Sequence, residues 1–245
     1  MTFHMAAYFE THPTGTNVDI NALQDDILNI ENNHFVLREN PRLLAAGVNS
    51  ANASAARLNS PSLRRITQPY LSPIVAAEDG GQGPQNPTRW PNGFLLPRDE
   101  EIAAEVTDAT GGDVTIGVCL ESQRVAPPAG SAYTLRGTTT SATVADTWTS
   151  ITTTWESSLP AGKYALLGGS VRSATGRLWR ANLNGQLDRP GGFCVLTTAE
   201  AIWWWQRMGR LGSWGEFDAR VMPEIQVLAG AAETPAEILI DIAPL

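Results

Sequence analysis

Residues 147–195 read TWTSITTTWESSLPAGKYALLGGSVRSATGRLWRANLNGQLDRPGGFCV, and the reading of this stretch decides the fold class. Threonine, tryptophan and isoleucine alternate through its first part, the period of a half-buried strand. Leu159-Pro160-Ala161-Gly162 makes a turn, and an apolar run from Tyr164 to Val171 follows. Ser173-Ala174-Thr175-Gly176 turns the chain again into Leu178 to Leu183, which Asn184-Gly185 closes. The connections leave no room for a crossover helix, so the spacing predicts antiparallel neighbours. No catalytic constellation lies in the stretch.

Working outward, the same pattern recurs. Ile102, Ala104 and Val106 alternate with Glu101, Ala103 and Glu105, and the turn Thr110-Gly111-Gly112-Asp113 returns the chain into Val114, Ile116, Val118 and Leu120. This predicts a hairpin with one wet and one dry face. Runs at Tyr133 to Thr139, Glu224 to Leu228 and Glu237 to Ile242 bring the expected total to about nine short strands. That density predicts an antiparallel sandwich or barrel over residues 98–245. One segment breaks the pattern: Thr197 and Glu200 have capping-box spacing, and Ala199 to Leu211 suits a helix carrying Trp203, Trp204 and Trp205, with Trp214 just beyond. Three consecutive indoles cannot all face one core, so at least one is expected at a contact surface.

The first 97 residues read differently. Residues 1–17 suit an arm with little structure of its own. Ile20, Leu23, Ile27 and Ile30 recur at helical steps, predicting one short amphipathic helix over Asp19 to Asn32, with Asp19 as its cap. Residues 43–58 are rich in Ala, Ser and Asn and suit a weak helix or a surface loop. From Ser60 to Pro97 prolines punctuate the chain. Leu63 to Leu71 reads as an edge strand, and the segment around Gln82 to Asn92, including Trp90, as an extended contact loop.

Composition excludes several function classes. The net charge is −8, so a polyanion-binding surface is not expected. Arg64-Arg65 is too small to be a nucleic-acid patch. No run is long enough to span a membrane, and MTFHMAAYFE lacks the charged and apolar regions of an export signal. Cys119 and Cys194 sit among apolar neighbours and read as buried free thiols. The three histidines, His4, His12 and His34, precede residue 98, so a Ser-His-Asp or Cys-His arrangement inside the strand-rich domain is not available. No metal-ligand spacing occurs, and Gly80-Gly81-Gln82-Gly83 lacks the helix and lysine of a phosphate loop. The acidic pairs near Asp99-Glu100-Glu101 and Glu216/Asp218 read as solvated strand ends rather than a glycosidase pair. No enzyme and no cofactor is expected.

Leu159-Pro160-Ala161-Gly162-Lys163-Tyr164, Gly169-Ser170-Val171, Arg180-Ala181-Asn182-Leu183-Asn184-Gly185 and then Arg189-Pro190-Gly191-Gly192 resemble a passage of single jelly-roll capsid proteins of icosahedral viruses. They are also similar to the trimeric jelly rolls of the tumour-necrosis-factor and C1q type. The resemblance covers residues 98–245 and implies a jelly-roll domain of eight or nine strands behind an N-terminal arm (residues 1–97). It further implies a capsid subunit of an icosahedral, bacterial virus, assembling as a trimer or capsomer beside other virion proteins. Direct nucleic-acid binding is not expected, and an inner lipid layer or another protein could lie beneath the shell. The expected contact residues are Ile20, Leu23, Ile27, Ile30, Trp90, Trp203, Trp204, Trp205 and Trp214. The alternative reading is a carbohydrate-binding module stacking a glycan on Trp203, Trp204, Trp205 or Trp214, and a third is a phage spike or receptor-binding head.

Overall fold

A computed structural model describes residues 3–65, 71, 87–195, 204–235 and 237–245. Their backbone is β throughout: the only helical turns among the described residues are two of 3-10 type, Leu63–Arg65 and Trp204–Gln206. The described residues fall into two compact units. Residues 6–65, 71 and 87–122 form the first, and residues 3–5 with those from 123 onward form the second. The division expected at 97/98 therefore lies at 122/123, and the strands at 101–121 belong to the first unit.

The first unit contains β1 (His4–His12, its first two residues counting with the second unit), β2 (Gly15–Ile20), β3 (Asn29–Glu31), β4 (His34–Val36), β5 (Arg42–Ser50) and β6 (Ala53–Asn59). β7 (Thr88–Leu95), β8 (Glu101–Asp108) and β9 (Gly112–Glu121) complete it. One sheet has the order β1-β9-β5-β7; in the other, β8 pairs β2, β4 and β6, and β4 pairs β3. A single core draws on both sheets, with Tyr8, Val48, Ile116 and Val118 from the first meeting Ile20, Leu58, Ile102 and Val106 from the second.

The second unit contains β10 (Tyr133–Thr139), β11 (Thr149–Ile151), β12 (Thr153–Trp155), β13 (Lys163–Arg172) and β14 (Gly176–Asn182). After these come β15 (Gly191–Phe193), β16 (Gly215–Asp218), β17 (Glu224–Ala229) and β18 (Glu237–Pro244). Its sheets have the orders β12-β10-β18-β13-β16 and β11-β17-β14-β15. The ladders described for these strands are antiparallel, yet β13 and β14 lie in different sheets, as do β8 and β9. The short turns joining them are arches between sheets, not hairpins. Period and turn length alone do not distinguish the two, because both need only a reversal of the chain.

The two units repeat one plan. In the second, setting β12 aside, the first strand pairs the eighth (β10–β18), the second the seventh (β11–β17), the third the sixth (β13–β16) and the fourth the fifth (β14–β15). In the first unit the matching pairs are β1–β9, β2–β8 and β5–β7, and the Leu71 amide donates to Ala56 O in β6 where the fourth pair would fall. Even the irregularities coincide. The ladder slips between Leu43 and Ala45 in β5 and between Leu166 and Gly168 in β13. It slips again between Ala53 and Ala55 and between Gly176 and Leu178. Bulges of this kind are built features rather than accidents. The sequence repeats with them: Leu43, Leu44, Val48, Ser50, Ala51, Arg57 and Asn59 recur, each 123 residues later, as Leu166, Leu167, Val171, Ser173, Ala174, Arg180 and Asn182. Ser50 Oγ accepts the Ala53 amide and Ser173 Oγ the Gly176 amide, so both copies close the same turn with the same side chain.

Several expectations are corrected here. The helix over Asp19 to Asn32 does not form. Asp25 accepts the Ile27 and Leu28 amides in a local turn, Asn32 and Asn33 adopt left-handed φ, and Ile20 is taken up by pairing with Ala104. Residues 3–17 are not an arm, since β1 and β2 are strands of both sheets. Residues 43–58 are neither helix nor loop but β5 and β6, whose small side chains suit a close sheet-to-sheet approach. The Trp-rich helix does not form over 204–211 either; residues 199–203 lie outside the described residues. Met208 and Gly209 take left-handed φ, and the amides of Gly209 and Trp214 donate to Leu167 O and Leu166 O of β13 instead of continuing a helix. Of the edge strand expected over Leu63 to Leu71, the described residues show the turn at Leu63–Arg65, and 66–70 lie outside them; of the loop expected over Gln82 to Asn92, residues 88–92 belong to β7 and 82–86 lie outside the described residues.

Neither cysteine is in a disulfide and both are buried, and burial pushes each thiol well above its ordinary pKa. A thiol reagent should therefore find neither in the native protein and both after denaturation. Rapid native labelling of Cys119 would contradict the packing of β9.

Candidate functional site

The most elaborate polar anchorage belongs to the segment from Trp204 to Trp214. Asp241, on β18, is wholly buried. Its carboxylate accepts Nε of Arg207 at 2.5 Å and the terminal nitrogen of the same guanidinium at 2.7 Å, with the Met208 amide at 2.9 Å and the Thr134 hydroxyl at 2.8 Å. A buried carboxylate so fully engaged fixes the segment as a strap. A Cβ on Gly168 would lie 2.2 Å from Gln206 O, so the strap also needs glycine beneath it. Gln206 is buried, donating to Phe193 O and accepting the Phe193 amide.

The strap sorts the tryptophans. Trp214 is wholly buried, stacked on Phe3 at 4.6 Å and tilted against Trp179 at 5.8 Å. Trp205 is buried edge-on to Phe193. Trp204 is 58% exposed, with the Arg210 guanidinium 4.3 Å above its ring and exposed Met208 nearby in sequence. Trp203 lies outside the described residues. The other expected contact residues divide likewise. Ile20 and Ile27 are buried, Leu23 is half-buried with its amide bonded to Ala7 O, and Ile30 is exposed. Trp90 is half-buried on edge strand β7, packing edge-to-face with exposed Phe94, beside exposed Leu95. Trp204, Ile30 and the Trp90-Phe94-Leu95 group thus remain on the surface, while Ile20, Ile27, Trp205 and Trp214 pack their own unit.

The first unit also has a polar cleft of about 550 Å3 on the sheet of β8. His34 stands between Asp19 and Glu101, at 3.8 and 3.6 Å, and would pair with both when protonated. The deeper carboxylates are engaged. Glu100 accepts the amide and hydroxyl of Ser62, and Glu105 accepts Arg57 and Asn59. Arg57 and Glu105 are register partners, matched in the second unit by Arg180 and Gln226, which bond at 2.7 Å while Arg180 lies over Trp148. Asp218, the other acid noted near the tryptophans, is held well below the usual carboxylate range by the bonded Arg220. Among the described residues no group of three or more His, Cys, Asp or Glu is placed to hold a metal ion. No helix among them is long and apolar enough to cross a membrane.

Comparison with family models, with curated proteins and with solved structures finds no match for this chain.

The exposure of Phe94 and Leu95 on a strand is not legible in the sequence, where Pro91 and Pro97 make the segment read as loop. The Arg207–Asp241 pair was not legible either, because its partners lie 34 residues apart with no pattern linking them.

Proposed function

We propose that this chain is a structural virion protein, a capsid subunit built from two jelly rolls in tandem rather than one jelly roll behind an arm. The observation that carries the reading is the pairing of first with eighth, second with seventh, third with sixth and fourth with fifth strand. That pairing is what one long antiparallel ribbon rolled into two facing sheets would give, and it supports the reading of a jelly roll like those of capsid and lectin domains. Its recurrence in the first unit, with the same bulges, supports the same reading there. A shell subunit must present several apolar contacts from one polypeptide. Trp204 with Met208, and Trp90 with Phe94 and Leu95, supply exposed apolar groups on both units, as contact surfaces require. Each chain assembles with its own kind as a trimer or capsomer and meets other virion proteins. The net charge of −8 favours a layer that does not touch nucleic acid directly.

The test is mass in solution. Light scattering on the eluting protein should give a multiple of 26.3 kDa, and replacing Phe94 and Leu95 together by aspartate should lower that multiple while circular dichroism stays unchanged. A strict monomer at all concentrations would overturn the proposal.

A further inference from the structure

At one end of the second unit, β10, β18 and the 157–164 segment enclose a cleft of about 550 Å3, within the size range of small-molecule sites. Its floor is apolar and fixed. Leu135 and Ile242 are buried, and Tyr164 is held by stacking on Phe217 and by donating its hydroxyl to Pro160 O at 3.1 Å. Its rim differs. Tyr133, directly opposite Ile242 in the ladder, is 56% exposed, and neither its hydroxyl nor that of Ser157 bonds to any described residue. Pro160 and Pro244 add flat saturated rings. None of the nine lining residues carries a charge.

We propose that this cleft is a binding site for a neutral saccharide. Tyrosine and proline rings offer flat apolar faces to the C–H face of a pyranose, and the unpartnered hydroxyls of Tyr133 and Ser157 face its hydroxyl edge. A phosphate, carboxylate or ammonium ligand finds no counter-charge. An alkyl chain would leave the rim hydroxyls unmatched and is the less complementary occupant. The site is separate from exposed Trp204 and does not rest on the assembly reading, since titration reports binding whatever the oligomeric state.

The experiment is titration calorimetry of the full chain with glucose, galactose, N-acetylglucosamine and their disaccharides, and with decanoate as the alkyl probe. At least one sugar should bind saturably with a Kd on the order of 1 mM or tighter. Tyr133→Ala should weaken that binding by about tenfold or more. Ser157→Trp, which fills the cleft from its exposed rim, should abolish it, and Trp204→Ala should leave it unchanged. Absence of saturable binding by every sugar overturns the proposal. So does a sugar that binds Tyr133→Ala and Ser157→Trp as it binds the parent, or saturation by decanoate alone.

Discussion

Replacing Arg207 by alanine should destabilise the second unit by about 3–5 kcal/mol, the cost of leaving a buried charge without its partner. Asp241 is wholly inaccessible to solvent, and Arg207 supplies two of its four hydrogen bonds and its whole counter-charge. The Met208 amide and Thr134 hydroxyl cannot neutralise what remains. The double variant Arg207→Met/Asp241→Leu removes both charges, so it should recover most of the loss, as apolar replacements of buried ion pairs generally do. Urea denaturation of the single and double variants measures both quantities. A single-variant loss below about 1 kcal/mol, the range of an exposed pair, would mean that solvent reaches the carboxylate and that the strap is not anchored by it.

The second large effect is expected at Trp214. Its truncation to alanine should cost about 3–5 kcal/mol, because the cavity would open between Phe3 and Trp179 where nothing can collapse into it. Trp204→Ala should stay within about 1 kcal/mol, the worth of an exposed cation–π contact. The contrast separates two roles that the sequence alone does not distinguish. A tryptophan that served only assembly would leave the subunit's own stability intact when removed. Thermal unfolding followed by near-ultraviolet dichroism distinguishes these outcomes, and equal costs for the two variants would contradict the sorting of the strap.

The legible and illegible parts of the fold have separate physical causes. Strands β8, β9, β10, β13, β14, β17 and β18 were readable because each alternates or runs apolar between turn residues over six or more positions. The sheet to which each strand belongs was not, because an arch and a hairpin use the same glycine- and serine-rich turns. In the N-terminal half, Ile20, Leu23, Ile27 and Ile30 fit a helical stripe, but pairing to β8 and the Asp25 turn outweigh a propensity too weak to hold a short helix. The Ala-rich β5 and β6 hide for a related reason: small side chains carry little β preference, and burial against a facing sheet decides their state. One signal in the sequence was strong enough to have corrected this. LLAAGVNSANASAARLN at 43–59 repeats as LLGGSVRSATGRLWRAN at 166–182, and this internal repeat carries the strand assignment of the second passage over to the first. For the candidate contacts, aromatic type was readable but exposure was not. Trp204 and Trp214 look alike in sequence, and only Asp241 and Phe3, distant in the chain, separate them.

If this chain builds a shell, electron cryomicroscopy of the purified protein at rising concentration should show closed particles or discrete capsomers. Each chain should contribute two similar β units, with the surfaces around Trp204 and Phe94 against neighbouring chains. Isolated single chains at every concentration, with those surfaces bare, would rule the shell out.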